Sequence, residues 1–272
     1  LPQGDNLDQD PDTLDTWFSS GLWTFSTLGW PNETPDLKTY HPTSVLETGH
    51  DILPFWVARM ILMTGYVLGE IPFKTVYLHG LVRNKEGKKI SKSLGGNVDP
   101  VDTSALYGAD AVRMGLLVGA GPGNDTKISD EKFKAYKHFG NKLWNISRFI
   151  LGETNGVDYD SNFSEYTDSD KELINSQSEL IKEITKELEE YKLHIVAEKL
   201  YHFAWHTLAD QILEESKKVF AEGDEKVKLS RKQLLLSTLH NLLIVLHPFM
   251  PFVTEELWSL MPWNKATSDD KM

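Results

Sequence analysis

The sequence has no cysteine, which excludes a disulfide framework and any thiolate-based zinc site. That absence fits a reducing compartment. Positive charge is also in deficit: 28 Lys and Arg stand against 40 Asp and Glu, a formal net charge of -12. Taken alone, this argues against a generally basic nucleic-acid binder, although binding depends on where positive charge clusters. No unbroken apolar run approaches the roughly 18 residues that span a bilayer, and no charged-then-apolar secretory leader opens the chain. The first residue is Leu1 rather than Met, and "LPQGDNLDQDPD" is polar, so the chain reads as a piece of something longer. What is present is 272 residues, 40% hydrophobic and 25% charged, the balance of a folded chain with one large domain or two ordinary ones.

Two halves differ in texture. From about residue 13 to about 125, short β-rich runs alternate with glycines and helical patches. "KTVYLHGLV" (Lys74–Val82) reads as a buried strand, rich in β-branched and aromatic residues and following Pro72. "HDILPFWVARMILM" reads as a mostly apolar helix, with Pro54 in the first turn, where no intrahelical N–H is needed. Asp99 and Pro100 look like a helix cap followed by proline at the first helical position, and Gly108 should end that helix before "ADAVRMGLLVG" begins another. This order predicts an α/β sheet with binding loops at strand ends. From about Glu131 the pattern is helical. Phe139, Leu143, Ile146 and Ile150 mark one helix face, and Ser169 with Glu172 reads as a capping box. Leu180, Ile184, Leu188 and Tyr191 continue that second helix. A third spans "HIVAEKLYHFAWHTLADQILEESKKVF", and a fourth is broken at Pro248 and Pro251 before a short last helix. The prediction is a helical bundle.

The stretch "GKKISKSLGGN" (Gly87–Asn97) cannot pack a core. A solvated surface loop is one reading; a loop that holds a phosphate is the other. Lys88, Lys89 and Lys92 are flexible ammonium groups suited to a triphosphate whose charge shifts in a reaction, and Gly95 and Gly96 allow close backbone approach. Lys89-Ile90-Ser91-Lys92-Ser93 resembles the "KMSKS" signature of class I aminoacyl-tRNA synthetases. Around it, "LDTWFSSGLWTFSTLGWP" (Leu14–Pro31), "TGHDILPFWVARM" (Thr48–Met60), "PFKTVYLHGLV" (Pro72–Val82), "YGADAVR" (Tyr107–Arg113) and "HPFMPFVTEELW" (His247–Trp258) resemble the valyl-tRNA synthetase family, in that family's order. The resemblance covers nearly the whole chain. The isoleucyl-tRNA synthetases share the fold and the lysine signature, but usually carry an acidic residue where Ser19 stands and differ at the "GHD" segment.

The resemblance implies the second half of a Rossmann-like catalytic domain over residues 1–132, followed by an all-α anticodon-binding bundle over 133–272. It implies that Lys92, and secondarily Lys89, stabilise the phosphates of ATP as pyrophosphate leaves, with Ser91 and Ser93 in the same ATP-binding loop. Gly49 and Asp51 would lie near the adenylate ribose and the amino acid. His79, Gly80, Leu81 and Val82 would end the strand beneath the adenine. Trp17, Ile52 and Trp56 would wall the valine pocket; the spacing of Ile52 and Trp56 independently places them on one helix face, where ordinary core packing is the other reading. Such a slot can exclude isoleucine by bulk but cannot strongly reject threonine, a limit for which this family is a known example. ATP with Mg2+, L-valine and tRNA(Val) are the implied partners. No tightly bound cofactor, no protein-held metal and no membrane are expected, and the full-length enzyme is expected to be a cytoplasmic monomer.

Departures and gaps accompany the resemblance. Thr207, Ala209 and Gln211 stand where the family has bulkier residues, so no anticodon contact is assigned to them. Gly96 stands where the family usually has Asn, so Asn97 receives no role. No "HIGH"-type motif and no editing domain is recognisable, so this stretch alone is expected not to activate valine. A non-catalytic tRNA-binding module, a truncated scaffolding paralogue and a piece of an isoleucyl-tRNA synthetase are the alternatives. The histidines show no metal spacing; His202 and His206 lie four apart but lack the Glu of H-E-x-x-H.

Overall fold

The computed structural model describes residues 10–84, 86–88 and 99–263. The chain divides into two compact units, Leu1–Gly80 and Leu81–Met272.

In the first unit, three short helices, α1 (Thr16–Gly21), α2 (Trp23–Ser26) and α3 (Pro35–Tyr40), precede a βαβ unit. Strand β1 (Thr43–Gly49) runs parallel to β2 (Phe73–His79), with Leu46 opposite Val76 and Gly49 opposite His79. Parallel strands need a crossover, and His50–Leu68 supplies it. That run opens as a 3-10 turn (His50–Ile52), passes through a π-helical turn (Leu53–Val57) and settles into α4 (Ala58–Leu68). Pro54 falls in the first turn of the π segment, where its missing N–H removes nothing. Leu46, Val57, Met60 and Phe73 form the buried core, and the hydroxyls of Thr24 and Thr64 pair at 3.0 Å between α2 and α4.

By length and composition, His50–Leu68 is long and apolar enough to cross a membrane. This differs from the count of unbroken apolar residues because Asp51 and Arg59 interrupt the run without lowering its average enough. The fold uses the run as a crossover, with Met60 fully buried.

The strand read as Lys74–Val82 is two strands. It ends at His79, and Val82–Arg83 is a separate short strand, β3, in the second unit, paired in parallel with β4 (Thr126–Lys127). Composition marked the whole run as β-forming, but not the change of partner at Gly80–Leu81.

Helices α5 (Pro100–Tyr107) and α6 (Ala109–Leu117) follow, and the Asp99 side chain caps α5 as expected, accepting the Val101 N–H at 2.7 Å. Gly108, at φ +90°, separates the two helices. Helix α7 (Asp130–Glu153) buries Phe139, Leu143, Ile146 and Ile150 along the predicted face. A β-carbon at Gly115 of α6 would lie 2.6 Å from the Phe133 ring, so glycine sets how closely α6 and α7 approach.

The remaining helices complete the bundle. Helix α8 spans Asp168–Glu189 and starts earlier than the Ser169 reading: Thr167 is the cap, its hydroxyl accepting the Asp170 N–H at 3.3 Å. Tyr191, read as part of its stripe, lies past its end at φ +58°. The predicted third helix is continuous from Leu193 to Glu222, as α9 (Leu193–His202), a π-helical stretch (Phe203–Ile212) and α10 (Leu213–Glu222). Thr207, Ala209 and Gln211 all fall within that π stretch. Helix α11 (Glu225–Leu246) is buried on nearly every side, as befits a central helix, and α12 (Pro251–Ser259) follows the proline break.

Candidate active site

In parallel α/β sheets, ligands bind beyond the carboxyl ends of strands. In the first unit those ends are Gly49 and His79, adjacent in register. Gly49 is buried, with φ -67° and ψ 143°, a conformation any residue adopts. Space, not backbone freedom, requires the glycine: a β-carbon there would sit 2.7 Å from Asp51 Oδ1 and 3.5 Å from His79 Cε1. Asp51 lies exposed in the 3-10 turn that leaves β1. The His79 ring is held by its neighbours, with Nδ1 2.8 Å from the Gly80 carbonyl oxygen and Nε2 3.4 Å from Glu47 Oε1. Burial, reinforced by Glu47 across the strand pair, raises the Tyr77 phenol above its ordinary value. The structure thus brings Gly49, Asp51 and His79 together at one strand edge.

The three residues read as an amino-acid pocket are all half-buried and lie where α1 packs across the π turn. The Trp56 indole N–H donates to the Ser20 carbonyl at 3.2 Å, and its ring meets Trp23 at 6.3 Å. Trp17 meets Phe55 at 6.2 Å, with the Arg59 guanidinium 5.7 Å from its ring. Ile52 is at the head of the π turn.

In the second unit, Leu81 and Val82 open a short strand whose backbone is already engaged. The Leu81 N–H donates to Asp125 Oδ1 at 2.7 Å, and its carbonyl accepts from Thr126 N at 3.0 Å. Leu81 therefore has a strand-holding role whatever it contacts besides. Asp125 also takes the Arg83 Nε–H. After β3 the chain turns: Asn84 Oδ1 accepts the Lys88 N–H at 2.8 Å, and Gly87 sits at φ +80°, a left-handed conformation that favours glycine. Lys89, Ser91, Lys92 and Ser93 lie outside the described residues.

Elsewhere, the His202 and His206 rings are 5.0 Å apart, and His206 Nδ1 lies 3.5 Å from Asp210. Among the described residues, no group of three His, Asp or Glu side chains could hold a metal ion.

Comparison with known proteins places this geometry. Residues 2–129 match the family described as tRNA synthetases class I (I, L, M and V), and residues 170–271 match the anticodon-binding domain of tRNA ligase. The valine–tRNA ligase of Clostridium acetobutylicum is 46% identical over 256 residues, 93% of this chain and 29% of that protein. Those of Geobacillus kaustophilus and Petrotoga mobilis are 47% and 48% identical over 95% and 96% of this chain, each match covering 30% of the relative.

Residues 2–129 belong to the class I tRNA synthetases.

The chain spans about 30% of the length of the curated synthetases it matches. Its fold is shared by Mycobacterium tuberculosis methionyl-tRNA synthetase in complex with methionyl-adenylate, at a TM-score of 0.75 and 22% identity over 94% of this chain and 52% of that one. The LeuRS–tRNA–LeuAMS complex of Agrobacterium radiobacter gives a TM-score of 0.73 and 21% identity over 93% of this chain and 32% of that one. The parallel strands with their helical crossover, and α5 and α6 after them, lie in the synthetase match and have its Rossmann-like fold, whereas helices α8 to α12 lie in the anticodon-binding match.

Sequence reasoning passed over residues that hold these elements in place. Asp125 ends the glycine-rich stretch "GAGPGND", a signal for a backbone-binding carboxylate next to a turn. Asp110 and Arg113 stand inside the quoted "YGADAVR", three apart on one helix, a spacing that presents both to a common partner.

Proposed function

We propose that this chain is the part of a valine–tRNA ligase that carries one side of the ATP site, walls of the valine pocket and the anticodon-binding helices. The full-length protein would activate L-valine with ATP, releasing pyrophosphate, and pass the valyl group from the adenylate to tRNA(Val). The observation that carries this is identity of 45–48% to valine–tRNA ligases along 93–96% of the chain.

On this reading, Lys92 and Lys89, with Ser91 and Ser93, neutralise charge on the departing pyrophosphate. Mg2+ arrives with ATP rather than on protein ligands. Gly49 and Asp51 hold the adenylate from the end of β1, and His79, Gly80, Leu81 and Val82 bound the adenine. The crowding at Gly49 supports the first role, because a ligand brought close to the strand end needs a position without a side chain. Trp17, Ile52 and Trp56 bound the valine side chain; two aromatic walls favour a small branched group. The division of labour falls near residue 132, between the two family matches, although α7 runs through it. The full-length protein is read as a cytoplasmic monomer. This stretch alone is read as inactive, because no HIGH-type motif to complete the ATP site and no editing domain is recognisable in it.

The test is valine-dependent ATP–pyrophosphate exchange by the full-length protein. Exchange with valine, little with isoleucine, and a loss on the order of 10²–10³ in Lys92→Ala are expected. Exchange driven better by isoleucine would overturn the valine assignment.

A further inference from the structure

The lysine signature follows directly on a short strand and turn, and the geometry assembles an anchor beneath them. Asp125 uses both carboxylate oxygens: Oδ1 accepts the Leu81 N–H at 2.7 Å, and Oδ2 takes the Arg83 Nε–H. Arg83 extends this hold, its Nη1 donating to the Gly87 carbonyl at 3.2 Å. The backbone adds two rungs, Thr126 N to Leu81 O at 3.0 Å and Ile128 N to Arg83 O at 2.9 Å. A two-residue strand pair is too short to be stable by itself, so side-chain anchoring has to supply much of its order.

An ordinary surface ion pair would look different. Such pairs join two side chains and leave the backbone alone. Here one carboxylate binds a main-chain N–H and a guanidinium together, and the guanidinium then binds the turn four residues on. The two side chains are only 33% and 27% exposed, which limits screening by water. Hydrogen bonds with ionised partners are also the stronger kind.

We propose that Asp125, acting through Leu81 and Arg83, is a positioning residue for the ATP chemistry of the lysine signature. It fixes strand β3 and the turn that joins Asn84 to Lys88, which immediately precede the lysine signature in the sequence. This rests on the proposed synthetase function.

The experiment measures valine-dependent ATP–pyrophosphate exchange in the full-length protein, comparing wild type with Asp125→Ala, Asp125→Asn, Arg83→Ala and the Asp125→Ala/Arg83→Ala double variant. Asp125→Ala is expected to lower kcat about 10- to 100-fold, the scale of a misplacement of about 1 Å, with the KM for valine within about twofold of wild type. Arg83→Ala should act similarly, and the double variant should be no worse than the worse single, because both remove one unit. Asp125→Asn keeps an acceptor for the Leu81 N–H and should recover part of the loss, which also guards against Asp125→Ala failing to fold. Wild-type exchange with kcat unchanged in both Asp125 variants overturns the proposal. So does a loss that tracks a lowered melting temperature and multiplies with that of Arg83→Ala. A wild-type protein showing no exchange with valine instead overturns the functional reading on which the proposal rests.

Discussion

The carboxylate of Asp110 accepts the backbone N–H of Val253 at 2.7 Å and that of Phe252 at 3.2 Å, so a side chain of α6 caps the start of α12. Helix α12 has no capping side chain of its own, since Met250 occupies the position. One turn along α6, Arg113 donates to the Pro248 and Phe249 carbonyls at 2.7 and 3.1 Å. The acid meets the amide end of one helix and the base meets the carbonyls leaving another, the polarity that helix dipoles favour. This explains why "YGADAVR" and "HPFMPFVTEELW" belong together despite their distance in sequence. Asp110→Ala is expected to cost about 1–2 kcal/mol, the usual value of a lost cap, and Asp110→Asn much less. Denaturant unfolding of both variants checks this: the midpoint should fall while the slope stays constant.

A second anchor is buried inside the bundle. Arg231 Nε lies 2.7 Å from Asp170 Oδ1, Ser230 donates to the other carboxylate oxygen at 2.5 Å, and Arg231 also reaches the Ser216 hydroxyl at 3.2 Å. Both charged side chains are almost wholly inaccessible, at 5% and 1% exposure. Arg231→Met strands a buried carboxylate and should cost about 3–5 kcal/mol, whereas adding Asp170→Leu should recover much of that loss. Thermal unfolding of the single and double variants separates the two outcomes. A single variant as stable as wild type would show that the pair contributes little.

What the sequence made legible follows from how local each signal is. The stripe of α7 and the Asp99–Pro100 start of α5 are decided by residues within one or two turns, and both are read correctly. The start of α8 lies two residues before the Ser169 reading because Thr167 and Ser169 are both competent caps, and the choice rests on Ser230, whose hydroxyl accepts the Thr167 N–H at 2.9 Å from another helix. The split between β2 and β3 follows from partners far along the chain, as β3 pairs near Thr126. At the candidate site, motif resemblance named Gly49, Asp51 and His79, which the fold gathers at one strand edge. It could not name Asp125, whose role depends on residues about 42 positions away.

Gly49 offers a test of the strand-edge site. Its backbone conformation suits alanine, so Gly49→Ala adds a methyl group with no cost in φ. That methyl would meet Asp51 Oδ1 at 2.7 Å and turn the carboxylate aside. In the full-length protein, kcat/KM for ATP should fall by about tenfold or more, the cost of misplacing a binding group. The melting temperature should hardly change. Unaltered ATP kinetics would remove Gly49 and Asp51 from the site.

Tyr136 is expected to contribute to a loss of stability of the second unit at alkaline pH. Burial on α7 pushes its phenol up to about 12, with Tyr201 and Glu198 adding to the effect. The Tyr201 ring stands edge-on at 6.0 Å. In an unfolded chain the phenol ionises near about 10. Between those values the unfolded state binds fewer protons than the folded one, so stability falls as pH rises. The contribution is fully present below about pH 10 and is lost as pH climbs through about 12, with a size reduced by partial solvent screening. Tyr136→Phe removes the ionising hydroxyl but keeps the ring, so its stability should decline less steeply across that window. Denaturant midpoints measured at intervals over the same pH range provide the check, and parallel declines in the two proteins would show that Tyr136 does not govern the alkaline transition.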